Sequence, residues 1–127
     1  MYRSIKLMLA AVLLSFNAAA AHEWTPTYPV FEPAFIEDVG VTTMTLFNKR
    51  ADARFFQISV FDEDWNPILF ATTNHIINVE YLKKKTIQIY VRKEDWDNVE
   101  YICTTSRLVE NETGSSGVNS RICSRVL

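Results

Sequence analysis

Glu100-Tyr101-Ile102-Cys103-Thr104-Thr105-Ser106-Arg107-Leu108 and Val118-Asn119-Ser120-Arg121-Ile122-Cys123-Ser124-Arg125-Val126-Leu127 are the stretches whose reading decides the fold. Between them runs Glu110-Asn111-Glu112-Thr113-Gly114-Ser115-Ser116-Gly117, polar and glycine-bearing, the chemistry of a turn. A bridge between Cys103 and Cys123 sets these residues opposite one another on neighbouring antiparallel strands. The midpoint of that bridge in sequence is Thr113, inside the turn, so pairing and turn chemistry agree. In this register Tyr101, Thr105, Arg107, Asn119, Arg121 and Arg125 share the face of the cysteines. Ile102, Leu108, Val118, Ile122 and Val126 share the other. The aliphatic face is the expected core. The disulfide is then expected on the outer face among arginines, closing a loop of about twenty residues for a contribution on the order of 3 kcal/mol.

A second local reading points the other way. Asp97, Val99, Tyr101 and Cys103 follow the Asp-x-Ala-x-Tyr-x-Cys pattern of immunoglobulin domains, with Val for Ala, and in those domains tyrosine and cysteine face inward. The strand expected at Val41 to Asn48 has no cysteine to complete an inter-sheet bridge, and burying the arginines that alternate with Cys123 would cost several kcal/mol each if unpaired. The outward disulfide is the favoured reading.

Upstream, the two-residue rhythm recurs. Met44 and Leu46 oppose Thr43 and Thr45; Phe56, Ile58 and Val60 oppose Phe55, Gln57 and Ser59; Ile87, Ile89 and Val91 oppose Thr86, Gln88, Tyr90 and Arg92. Each segment has one dry face and one wet one. Pro67 to Ala71 and His75 to Val79 read as short strands, and Tyr28 to Ile36, broken by Pro29 and Pro33, as an edge strand. No stretch carries convincing helical periodicity. The spacing predicts an all-β, immunoglobulin-like, seven-stranded antiparallel β-sandwich.

The N-terminus reads differently. Arg3 and Lys6 precede the apolar run Leu7 to Phe16, and Ala18 to Ala21 follow, the three parts of a secretory signal. That run is about half the roughly 20 residues a membrane span needs, so a cleaved signal over 1–21 is expected rather than a stable membrane anchor. The mature domain, 22–127, then has about 106 residues, enough for one core. Its expected location is periplasmic or secreted, the oxidising side where a disulfide persists. Removing Arg3 and Lys6 from the 13 basic side chains leaves 11 against 15 acidic ones. With no basic stripe among them, nucleic acid is not an expected partner. Lys83, Lys84 and Lys85 read as a solvated turn.

The order of these features resembles the N-terminal immunoglobulin-like domain of periplasmic pilus-assembly chaperones (PapD-like). The likeness rests on Pro29-Val30-Phe31-Glu32-Pro33, Thr43-Met44-Thr45-Leu46-Phe47-Asn48, Phe56-Gln57-Ile58-Ser59-Val60-Phe61 and Tyr101-Ile102-Cys103. It implies an edge formed by the last strand that pairs with an incomplete β domain such as a pilus subunit. Main-chain hydrogen bonds would give affinity and alternate side chains selectivity. The partner-binding segment would be Val118 to Leu127, with Val118, Arg121, Ile122, Arg125 and Val126 as its candidate residues. The family also uses a basic pair at the cleft between two domains, and Tyr28 to Glu32 holds no residue for its N-terminal member.

Catalytic chemistry is thin. His22 and His75 are the only histidines, and neither a Gly-x-Ser-x-Gly elbow nor a His-Glu-x-x-His motif is present. Asp62-Glu63-Asp64-Trp65-Asn66 begins like a calcium loop, but Pro67 replaces the glycine and Thr73 the closing glutamate, so it reads as a hairpin turn. Asn111-Glu112-Thr113 is a glycosylation acceptor in a host that modifies secreted chains. The expectation is a protein-binding module, not an enzyme, that needs no cofactor. Two alternatives stay open. One is a copper site made by His22, as the mature N-terminus, with His75. The other is a structural or adhesion module. Separately, Trp24, Trp65 and Trp96 could form a flat ligand-binding platform, although packing is the commoner fate of such rings.

Overall fold

A computed structural model describes residues 21–107 and 119–127. In these residues the alternation becomes eight strands and one helical turn: β1 (Glu23–Thr25), β2 (Glu32–Pro33), β3 (Val39–Phe47), β4 (Phe55–Phe61), β5 (Ile76–Asn78), β6 (Lys84–Arg92), α1 (Lys93–Trp96), β7 (Tyr101–Arg107) and β8 (Arg121–Arg125). They form two four-stranded sheets. In the first, β3 is central. It pairs with β6 from Val39↔Arg92 to Phe47↔Lys84, and on its other side with β1 near Leu46 and with β2 at Gly40 and Val41. The second runs β5-β4-β7-β8.

Every strand with a two-residue rhythm buries the face the rhythm assigned to the core. Met44 and Leu46 from β3, Phe56, Ile58 and Val60 from β4, Ile87, Ile89 and Val91 from β6, and Ile102 from β7 meet between the sheets, and Ile122 and Val126 pack against this core from its margin. Trp24 joins them from β1 and donates its indole N–H to the Ile102 carbonyl, which satisfies its polar edge without exposing the ring. The immunoglobulin-like sandwich is therefore as expected, with one more strand than the seven anticipated.

The strand set is corrected in two places, the first at the N-terminus. The edge strand expected over Tyr28 to Ile36 shrinks to Glu32–Pro33, and Glu23–Thr25 forms an unanticipated piece beside it. Between the two pieces the chain leaves β3 and crosses to the other sheet, where the Thr27 and Pro29 carbonyls accept from the Arg125 and Leu127 amides. Pro26, Pro29 and Pro33 cannot donate to a ladder, so an unbroken strand is not available to this sequence. Pro67 to Ala71, expected as a strand, instead makes two isolated bridges, Phe61↔Pro67 and Ala71↔Tyr90. The second covers part of the outer edge of β6.

Candidate strand-pairing edge

The closing hairpin has the register read from the cysteines: Tyr101↔Arg125, Cys103↔Cys123 and Thr105↔Arg121. The disulfide is formed. It sits on the outer face, because Cys103 pairs with Ser59 while its neighbours Ile102 and Thr104 pair with the core-facing Val60 and Ile58. Cys103 is nevertheless 0% exposed. Arg121 reaches its sulfur, beside rings that gather on the same face. Trp65, at φ 65° in the loop after β4, stacks parallel on Tyr101 at 4.0 Å. The Arg121 guanidinium lies 4.6 Å from the Phe61 ring centre and 4.9 Å from that of Trp65, with Nη2 4.0 Å from the Cys103 sulfur. These cation–π contacts let an arginine lie flat over the sheet and still face water.

β8 is the edge strand of its sheet. The Ser106 amide donates to Ser120 O and the Val126 amide to Glu100 O, so the even-numbered residues of β8 turn their main-chain groups toward β7. In an antiparallel ladder the odd-numbered ones then point outward. Those of Arg125 and Leu127 are engaged by Thr27 and Pro29. For Arg121 and Cys123 no outward main-chain partner exists among the described residues. Among the described residues the edge is thus closed at its C-terminal end and open over Arg121 to Cys123.

The start of this open stretch is held by a group that reads as part of a plain turn in the sequence. Arg50, between β3 and β4, is only 8% exposed. Its Nη1 donates to Ser106 Oγ and Ser120 Oγ at 3.0 Å each, and Nε and Nη2 grip Asp52 at 2.9 and 2.8 Å. Ser120 N–H in turn donates to Ser106 Oγ. The local turn is shaped by Asn48, whose side chain donates to Ala53 O and Val79 O and accepts from the Arg50 amide. Buried cations of this kind persist when paired on every side.

Of the candidate partner-binding residues, Arg121, Ile122 and Arg125 lie on β8, and Val126 follows it directly. Val118 lies outside the described residues, as do Leu108 and the Asn111 acceptor. Arg121 and Arg125 share the outer face. Ile122 points to the core side, so the aliphatic series serves packing as well as any partner. Arg125 is ion-paired to Glu100 at 2.7 Å.

The two histidines occupy different settings. His22 is buried, its ring 4.8 Å from that of Phe56, with neither nitrogen hydrogen-bonded. Burial pushes its pKa down to about 4, against the opposing effect of the Thr104 main chain and with a further push from the Arg50 cation. His75 is exposed and packs on Phe70 at 4.6 Å. Among the described residues no group of three or more histidine, cysteine or carboxylate side chains is gathered as metal ligands. The Asp62 carboxylate is engaged by the amides of Asp64 and Asn66 within its own turn. The tryptophans form no common platform: Trp24 is core, Trp96 is half-buried near Phe31, and Trp65 is on the disulfide face.

No family model and no curated protein matches the chain. Solved structures do. The E. coli chaperone DraB matches with a TM-score of 0.63 at 18% identity over 84% of this chain and 53% of that one. A chain of the Salmonella enterica SafA pilin–SafB chaperone complex matches with a TM-score of 0.64 at 15% identity over 87% of this chain and 54% of that one. This chain has their immunoglobulin-like fold, and it spans about half the length of the chains it matches.

Proposed function

We propose that this chain is an exported, chaperone-like β-sandwich that binds another protein by adding a partner strand to the open edge of β8. The observation that carries the reading is the pair of outward main-chain positions at Arg121 and Cys123, without a main-chain partner among the described residues, where Thr27 and Pro29 cover only the C-terminal end of the same edge. Edge strands with unpaired N–H and C=O groups are templates for β-augmentation, and proteins that do not use them cover or blunt them. The fold shared with chaperones supports the same reading. The partner is a pilus subunit or another incomplete β domain, bound without catalysis or cofactor. The signal over 1–21 would deliver the chain to the periplasm or the exterior.

The test separates main chain from side chain at one position. Because the Arg121 N–H points away from β7, Arg121→Pro removes an outer-edge donor without breaking the ladder, whereas Arg121→Gln keeps it. The probe is an immunoglobulin-like pilin domain from which the last strand has been deleted. The native chain should suppress its aggregation, Arg121→Gln should retain suppression, and Arg121→Pro should lose it at unchanged far-UV circular dichroism. Full protection by folded Arg121→Pro would refute edge pairing.

A further inference from the structure

We infer that the open edge of β8 selects a partner strand carrying acidic side chains on its outward face, an inference that rests on the edge-pairing reading above. An added strand continues the alternation of the sheet, so its outward side chains fall beside Arg121 and Cys123 and diagonal to Arg125. The outer face of the closing hairpin carries Arg107, Arg121 and Arg125. Among the described residues one carboxylate answers them, Glu100 on Arg125. Arg107 donates to the neutral amide of Gln57, and Arg121 rests on the rings of Phe61 and Trp65 with no described carboxylate partner. The inward side chains of the same added strand fall beside Ile122, which is half-buried at the core margin and offers an apolar neighbour. The partner segment therefore alternates acidic or polar outward with apolar inward.

The same charges exclude a second copy of this chain as the occupant. Thr27 and Pro29 restrict pairing to the stretch around Arg121 to Cys123. A two-fold pairing of that stretch with itself sets Arg121 opposite Arg121 or on its diagonal, and like charges so placed repel.

The experiment uses two labelled peptides of alternating valine and threonine that differ only at two threonine positions, replaced by glutamate in one and lysine in the other. Their binding to the native chain is followed by fluorescence anisotropy at low and at physiological ionic strength. The glutamate peptide should bind about five- to tenfold more tightly than the lysine peptide, two favourable cross-strand pairs set against two unfavourable ones. Salt should narrow the gap, since the charges are exposed. Arg121→Glu, and Arg121→Glu combined with Arg125→Gln, should reverse the preference. Equal affinities, or a preference that these variants leave unchanged, would overturn the charge selection while leaving edge pairing in place. Failure of both peptides to bind the native chain would overturn it together with the edge itself.

Discussion

Arg50 and His22 are the titratable side chains buried among the described residues. Arg50 is an interior cation whose fork is matched by Asp52 and by two serine hydroxyls on the hairpin that ends in β8. Truncating it to alanine takes the guanidinium away from the half-buried Asp52 carboxylate and from the Ser106 and Ser120 hydroxyls it joins. Arg50→Ala should lower unfolding free energy by about 2–4 kcal/mol in urea titrations, and Arg50→Lys should recover only part because an ammonium cannot grip both partners. His22 is the opposite case, an interior ring that stays neutral. Its folded pKa of about 4 lies below the 6.5 of a free histidine side chain. The unfolded chain therefore takes up a proton first as pH falls, and stability contributed by the neutral ring is full above about pH 6.5 and lost progressively toward pH 4. The loss is on the order of 3 kcal/mol. His22→Phe, which keeps a ring against Phe56, should flatten the difference between urea midpoints at pH 7 and pH 4.5. An unchanged slope would show that His22 does not set it.

At the scale of elements, the hairpin was legible because a covalent constraint fixes its register: opposing Cys103 to Cys123 assigns a face to every neighbour, and the observed pairs follow. The core strands were legible because apolar residues at every second position can be buried only one way. The split N-terminal strand was not, because its prolines state only where a ladder fails, while the crossing to β8 depends on carbonyls that any residue carries. The Arg50 clamp was equally silent, since Asn48-Lys49-Arg50 has the composition of an exposed turn and its partners lie far away in sequence. The disulfide should reinforce the hairpin rather than create it: Cys103→Ser with Cys123→Ser should fold and lose on the order of 3 kcal/mol in urea titrations, the cost of freeing a loop of about twenty residues. Beside α1 the packing is tighter. A Cβ at Gly40 would stand 2.7 Å from Trp96 Cε3, on a ring already against Phe31. Gly40→Ala should therefore cost about 1–3 kcal/mol and shift the Trp96 emission as the ring is displaced.

For the whole molecule, edge pairing as proposed requires that β8 accept a partner strand and refuse a second copy of itself. Charged side chains on edge strands are a common safeguard, but here the charge is of one sign, which blocks a copy while leaving an oppositely charged strand admissible. That asymmetry makes an unusual prediction about mixtures. The native chain should sediment as a monomer, because self-pairing opposes Arg121 to Arg121. Arg121→Glu should also sediment as a monomer, now through glutamate against glutamate. An equal mixture of the two should associate, since the mixed pair sets arginine against glutamate across the same few main-chain hydrogen bonds. The contact is far smaller than a standard interface, so association should be weak and lost as salt is raised. Arg121→Val, which removes the charge from both partners, should self-associate in a manner nearly indifferent to salt. Sedimentation velocity over a concentration series reads all four cases, and a mixture no more associated than its components would mean that β8 is not an edge available for pairing.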